Sequence, residues 1–310
     1  MSDPAPYVQA NTNGRLHDAR DPAFSPLDRG FLYGDAIYEV WRTYHGTVFA
    51  FAEHWTRLEA SARALHLALP FDDATAFREL ARTAAAFRER TDERGELYVR
   101  LQITRGAGRI GLDPALAERA AWVFLVQALP VPPAAKLRDG VRVATARTLR
   151  RNHPLTLDPA WKTGNYLNNL LALREARAAG ADEVLFLNLD GELTEASNMN
   201  IAFVRDGVVV TPPLSAGILA GITRGLLLRE IGPRTGVAVQ EVPLRPADLA
   251  DCTEAFFLST TKDVTPIASL DGRLFTVGPN TVTARLKTAF ADYARAYAAA
   301  HPEYRVAPTP

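Results

Sequence analysis

A single cysteine, Cys252, and the lack of any apolar run of membrane-spanning length set the first limits on this 310-residue chain. One thiol excludes an internal disulfide and any zinc cluster built on cysteines. Charge of one sign is not in excess either, because 35 Lys and Arg balance 35 Asp and Glu. No global field therefore points to nucleic acid, a membrane surface or a strongly acidic partner, although a local basic pocket stays open. No internal repeat is visible. The start, Met1-Ser2-Asp3-Pro4, lacks the basic and apolar regions of a secretory leader, so a cytoplasmic protein is expected. What is present is ordinary for a folded protein: 47% hydrophobic and 23% charged residues suit a sizeable core. The length suits two domains better than one.

The first thirty residues are rich in Pro, Asn, Asp and Gly, with a short hairpin expected at Asn13-Gly14. Asp28 to Asp35 leads into a run, Ala36 to Tyr44, that alternates. Ile37, Glu39, Trp41 and Thr43 fall on one face, and Tyr38, Val40, Arg42 and Tyr44 on the other. The apolar stripe Trp55, Leu58, Ala62, Leu65 and Leu69 predicts a helix from Glu53 to Leu69, ended by Pro70. A second helix is expected over 74–90, then a strand over 96–104 with Tyr98, Arg100, Gln102 and Thr104 on its polar face. Arg105 to Gly111 holds three glycines, but no βαβ helix follows it, so it reads as a mobile loop rather than a dinucleotide fingerprint. After a strand over 122–129, Pro130-Val131-Pro132-Pro133 is the best linker in the chain. The expected division is a small domain over 1–129, a linker over 130–139 and a larger domain over 140–310.

Beyond the linker come a strand at Val141 to Thr145, hairpins at Asp190-Gly191 and Asp206-Gly207, and another hairpin at Asp271-Gly272. Thr223 is expected to cap a helix running to Gly232, whose exposed first amides make an anion site. The buried strand Phe256-Phe257-Leu258 runs into a hydroxyl-rich turn, Ser259-Thr260-Thr261, and a long helix over 279–300 closes the chain. Short strands and single helices mix without regular βαβ alternation, which favours α+β over a doubly wound sheet.

Two residues in the middle of the chain invite chemistry. In Trp161-Lys162-Thr163-Gly164-Asn165-Tyr166-Leu167-Asn168-Asn169, the helical spacing of Leu167, Leu170 and Leu171 sets Lys162 at or just before a helix start. There the helix dipole disfavours a cation, and a neutral amine is a nucleophile. Glu195 lies on the strand returning from the Asp190-Gly191 hairpin. Taken singly, the two read as a surface lysine and a strand-end carboxylate.

At these residues the chain resembles the class IV, fold-type IV pyridoxal-phosphate enzymes, which include branched-chain aminotransferases, D-amino-acid aminotransferases and aminodeoxychorismate lyases. The family's lysine followed by Asn-Tyr matches Lys162, Asn165 and Tyr166, and its Thr-Glu segment ending in Asn matches Thr194-Glu195 through Asn200. Glu53-His54-Trp55-Thr56-Arg57-Leu58 matches the pattern that carries a phosphate-binding arginine, and Gly221-Ile222-Thr223 one that binds the same phosphate. The likeness runs from about Tyr7 to about Phe290.

The resemblance implies a small N-terminal α/β domain and a larger, α/β-barrel-like domain that binds pyridoxal 5'-phosphate. Lys162 would carry the cofactor and shuttle protons. Glu195 would face the pyridine nitrogen, Tyr166 the ring oxygen, and Arg57, Ile222, Thr223, Ser259 and Thr260 the phosphate, with Asn198 also in the cofactor set. Tyr33, Tyr38, Val40, Arg42, Arg100, Arg109 and Thr261 would meet the substrate. A homodimer acting on an amino acid and a 2-oxo acid is implied, with no metal. Within the family two alternatives stay open. The Asn165 to Asn169 run looks like some aminodeoxychorismate lyases, whose pattern has a threonine where Val40 stands, and an R-amine transaminase shares the same core. Tyr38-x-Val40 and Ser259-Thr260-Thr261 are similar to the D-specific enzymes, whereas Arg42 matches the branched-chain ones. Arg100, on a strand, and Arg109, in the Gly-rich loop, compete for the substrate carboxylate.

Overall fold

The computed structural model describes residues 6–306, so the leader reading at Met1-Ser2-Asp3-Pro4 lies outside the described residues. The chain forms two compact units. The first comprises the residues up to Pro130, the short piece Trp161–Asn165 and the chain from Ala294 onward; the second comprises Val131–Ala160 and Tyr166–Tyr293. Lys162 therefore belongs to the first unit although it lies far along the chain.

In the first unit, strands β1 (Gln9–Thr12), β2 (Arg15–Asp18), β3 (Ala36–Tyr44), β4 (Thr47–Val48), β5 (Leu97–Thr104) and β6 (Ala121–Ala128) pair in the order β2-β1-β6-β5-β3-β4, every pair antiparallel. Helix α1 (Arg29–Tyr33) precedes β3, and α2 (Phe51–Ala64) and α3 (Asp73–Thr91) cover one face of the sheet. The alternation read from the sequence is obeyed: Ile37, Glu39, Trp41 and Thr43 are all fully buried. Leu97, Val99, Leu101 and Ile103 of β5 join Trp41, Phe51, Trp55, Leu58, Leu80 and Phe124 in one core. Helix α2 ends earlier than its stripe suggests. His66 takes the left-handed conformation (φ 48°), and the Leu67 amide turns back to the Ala62 carbonyl, so the apolar residues beyond it pack as a turn.

In the second unit a helix, α4 (Ala134–Asp139), follows the prolines. The sheet is built from β7 (Val141–Thr145), β8 (Glu183–Leu187), β9 (Leu193–Ala196), β10 (Asn200–Arg205), β11 (Val208–Thr211), β12 (Val239–Glu241), β13 (Cys252–Ser259), β14 (Asp263–Leu270) and β15 (Arg273–Leu274). Its order is β12-β11-β10-β13-β14-β7-β8-β9, with β15 beside β14. Parallel pairs (β11/β12, β14/β7, β7/β8) mix with antiparallel ones, and β9 at one end of the order comes back against β10. The sheet thus curls on itself like part of a barrel, and the class is α+β. Asp206 and Gly207 carry β10 into β11 with φ of 51° and 75°, the two positive angles that a tight hairpin matched to strand twist demands.

Helix α5 (Leu167–Ala178) buries Asn169, Ala172 and Ala176 above β8. The leucines whose spacing announces this helix face outward, with Leu167 69% and Leu170 62% exposed. The periodicity is genuine, but it marks an outer stripe. Further on, α6 (Ile222–Leu226) runs through a π turn (Leu227–Ile231) into α7 (Gly232–Thr235). Pro233 has no N–H to give back along the helix, which accounts for the widened turn just ahead of it. Thr223 is not the cap. Gly221 holds that position with extended angles, and Thr223 lies inside the first turn. The last helix, α8 (Val282–Ala300), starts on Glu254, whose carboxylate accepts from the amides of Val282 (2.9 Å) and Thr283 (2.8 Å) and from the Thr283 hydroxyl (2.7 Å). Among the described residues, no helix is long and apolar enough to cross a membrane.

Because Glu254 is 7% exposed and satisfies donors of the first turn of α8, Glu254→Ala is expected to lower stability by about 2 kcal/mol. Urea unfolding measures this; an unchanged midpoint would show that water replaces the carboxylate without loss.

Candidate active site

In the first unit the outer face of β3 and β5 gathers most of the expected substrate residues. The register pairs Tyr38 with Gln102, Val40 with Arg100 and Arg42 with Tyr98, so all six project to the side away from the core. The Arg100 guanidinium lies 3.8 Å from the Tyr38 ring centroid and donates to Gln102 Oε1 at 2.8 Å. Arg42 stacks similarly on Tyr44, at 3.9 Å. The Lys162 ammonium is 4.5 Å from the same Tyr38 ring, which places lysine, tyrosine and Arg100 in one group.

Lys162 is not in a helix. α5 starts only at Leu167, so the dipole argument for its reactivity fails. It lies instead in a short irregular segment beside β3, where the Thr163 amide donates to the Trp161 carbonyl at 2.9 Å and turns the chain at Lys162. The Tyr38 amide donates to the Lys162 carbonyl at 3.0 Å, Thr163 bridges to Ile37, and the Lys162 amide donates to Ser61 Oγ at 3.1 Å. Asn165 closes the segment by donating to the Gly34 carbonyl at 3.0 Å. A half-buried lysine on a backbone held from both sides has a fixed starting point for its side chain, unlike a solvated surface lysine.

Arg57 projects from α2 toward Glu39, which the alternation of β3 turns into the core. Arg57 donates from Nε to Glu39 Oε1 (2.7 Å) and from Nη2 to Oε2 (2.8 Å), a bidentate pair. His54, one turn earlier, stands 2.7 Å from Oε2 through Nδ1. A carboxylate only accepts, so Nδ1 carries the hydrogen. Burial alone would raise the Glu39 pKa, but Arg57 and His54 outweigh it and hold the carboxyl well below its usual range. Burial pushes the His54 pKa down more strongly than the Glu39 charge lifts it. The trio is therefore a carboxylate, a guanidinium and a neutral imidazole. Neither Glu39 nor His54 was singled out from sequence, although a glutamate on the apolar face of an alternating strand was the signal.

Near this group the Gly-rich loop is tied down rather than loose. Arg29, buried in α1, donates to the carbonyls of Gly111 (2.7 Å) and Leu112 (2.9 Å), and the Gly111 amide donates to the Tyr33 hydroxyl (3.2 Å). Arg109 in that loop is exposed.

In the second unit Glu195 is 5% exposed on β9. Its Oε1 accepts from Arg151 Nε (3.0 Å) and Nη2 (2.8 Å), and its Oε2 from Asn200 Nδ2 (3.0 Å) and the Leu219 amide (3.2 Å). Asn200 also donates to the Leu219 carbonyl at 3.0 Å, which fixes the chain entering α6. A Cβ on Gly221 would lie 1.9 Å from Asn200 Oδ1, so only glycine allows this approach. Ile222 and Thr223 open α6 directly after it. Asn200 pairs with Leu258, so Ser259 at the end of β13 and the turn at Thr260-Thr261 stand at the same end of the sheet. Tyr166 precedes α5, and Asn169 of that helix donates to the Ser197 carbonyl at 2.7 Å, tying the start of α5 to the chain after Glu195. Asn198 is exposed; Asn200 is the asparagine that bonds Glu195. Neither Arg151 nor Asn200 is among the site residues expected from the sequence. Among the described residues no cluster of His, Cys, Asp or Glu could hold a metal ion.

The chain has recognisable relatives. Residues 36–270 match the family model described as amino-transferase class IV. The chain is 36% identical, over 90% of its length and 94% of the relative's, to a Methanocaldococcus jannaschii protein provisionally named a branched-chain-amino-acid aminotransferase. It is 32% identical, over 89% of its length and 94% of the relative's, to D-alanine aminotransferase of Bacillus licheniformis. Among solved structures, the T.th. branched-chain amino acid aminotransferase with pyridoxamine 5'-phosphate superposes with a TM-score of 0.83 at 28% identity, covering 97% of this chain and 98% of that one. The coverage is nearly end to end, and the chain belongs to the class IV aminotransferases.

Proposed function

We propose that this aminotransferase uses pyridoxal phosphate, carried on Lys162, to move an amino group between an amino acid and a 2-oxo acid. The observation that carries the reading is the clamped Lys162 segment, with its amine 4.5 Å from the Tyr38 ring beside Arg100. The donor set suits the cofactor. A phosphate monoester needs a guanidinium, amides and hydroxyls, the donor types that Arg57, the first residues of α6 and Ser259-Thr260 would each offer. When bound, pyridoxal phosphate supplies a carbonyl carbon for the amine and a ring that accepts electrons.

The residues divide the remaining work. Lys162 would hold the cofactor, and its amine would move a proton at the substrate α-carbon. Glu195, oriented by Arg151 and Asn200, would accept a hydrogen bond from the ring nitrogen, and Tyr166 would donate to the ring oxygen. Val40 offers no hydroxyl, which favours transamination over the lyase reaction. Arg100, already flat against Tyr38 and held by Gln102, is the better-organised receptor for the substrate carboxylate. Arg109 is its competitor.

A homodimer is part of the proposal. The outward stripe of Leu167, Leu170 and Leu171 on α5 is an apolar surface that a second copy would cover.

Borohydride treatment of cofactor-loaded protein should leave the cofactor mass on the peptide containing Lys162, and Lys162→Ala should lower turnover by about 10²–10⁴-fold or more; a mass on any other lysine refutes the assignment. Arg100→Ala should cost about 2–4 kcal/mol in specificity for amino acids while sparing R-phenylethylamine, which has no carboxylate. The same selective loss at Arg109→Ala instead would transfer the role to the loop. Leu170→Lys should shift light scattering from dimer toward monomer, and a variant dimer as stable as wild type removes the α5 stripe from the interface.

A further inference from the structure

The trio of Glu39, His54 and Arg57 is expensive to build. Two of its members are 0% exposed, and the His54 ring lies tilted 5.6 Å from that of Trp41 in the middle of the first unit's core. Stability does not explain such a group, because well-packed apolar side chains commonly serve a core as well as a buried ion pair does. Its geometry offers another purpose. Glu39 takes the Nε hydrogen and one Nη2 hydrogen of Arg57, so the rest of the guanidinium, Nη1 and the outer Nη2 hydrogen, points away from the carboxylate. Arg57 is the only one of the three with solvent contact, at 11% side-chain exposure.

His54 adds a constraint of its own. Glu39 Oε2 accepts from His54 Nδ1, from Arg57 Nη2 and from the Val40 amide at 3.2 Å, so the carboxylate plane cannot rotate without losing several bonds. Arg57 Nη2 and His54 Nδ1 approach to 3.3 Å as two donors sharing one oxygen. The backbone of the same turn is fixed as well. Ser61 Oγ donates to the Arg57 carbonyl at 3.1 Å and accepts from the Lys162 amide at 3.1 Å. One buried hydroxyl thus sets Arg57 and Lys162 in register.

We infer that Glu39 and His54 are positioning residues that aim the Arg57 guanidinium at the phosphate of the cofactor, so that phosphate recognition depends on two side chains that cannot touch it. This rests on the cofactor reading above. The role is distinct from filling the core: it predicts a defect confined to the phosphate-bearing form of the cofactor.

The test compares pyridoxal phosphate with pyridoxal, which lacks the phosphate, in spectroscopic titrations of full-length protein. His54→Leu removes the donor to Glu39, His54→Asn keeps an N–H near the position of Nδ1, and Glu39→Gln loosens the bidentate pair. His54→Leu and Glu39→Gln should each weaken pyridoxal phosphate by about tenfold or more, the size of one misaligned hydrogen bond to a charged group, while pyridoxal affinity stays within about twofold. His54→Asn should restore most of the loss. If Glu39→Gln does not fold, the two His54 variants decide, since both leave the Arg57–Glu39 pair in place. Equal losses for both forms, or no loss in a folded variant, overturn the inference. Wild-type protein that binds neither form would overturn the cofactor reading itself, whereas tight wild-type binding with unselective variants overturns only the positioning role.

Discussion

A carboxylate with no access to water can persist only if its charge is met within the protein, and Glu39 imposes that condition on the first unit. β3 shows each residue to one of two faces. The register that puts Ile37, Trp41 and Thr43 into the core therefore puts Glu39 there too. Arg57 and His54 answer it from successive turns of α2, which locks the rotation of that helix over the strand. Once the helix is locked, Ser61 on the next turn reaches the Lys162 amide. The same register sends Tyr38, Val40 and Arg42 to the outer face, where Tyr38 meets Arg100 and the lysine amine. A slip of one residue would reverse both faces together.

The second unit handles its own buried carboxylate in a related way with different parts. Glu195 has an arginine on one oxygen and neutral donors on the other, whereas Arg57 bridges both oxygens of Glu39. The arginine supplies the charge, and Asn200 with the Leu219 amide supplies direction. Because Asn200 also holds the Leu219 carbonyl and crowds Gly221, the orientation of Glu195 and the start of α6 are one problem with one solution. Asn200 thus links the buried carboxylate to the chain entering α6 without adding charge.

Local physics was readable directly. The tight turns at Asn13-Gly14 and Asp206-Gly207 take the positive φ angles their residues favour, the alternation of β3 and β5 sorts buried from outer side chains, and irregular mixing of strands and helices pointed to α+β. Lys162 and Glu195 stood out because motif spacing along the chain is itself local. Each of these depends on residues a few positions apart, where backbone preference and side-chain period act without help from the rest of the molecule.

What only the tertiary structure decided depends on partners distant in sequence. The leucine spacing sets Lys162 at or just before a helix start, but Ser61, 101 positions away, holds its amide in a short irregular segment beside β3. Arg151 reaches Glu195 across 44 positions, and no pattern in either segment names the other. The leucines of α5 announced a helix, while which side was buried depended on where β8 lay and on Asn169 finding the Ser197 carbonyl. Glu39 is the sharpest case: an alternating strand states which face a charge occupies, but only the docked helix supplies the guanidinium and imidazole that make a buried carboxylate tolerable. Period and turn chemistry are properties of a segment, whereas compensation of a buried charge is a property of two segments brought together.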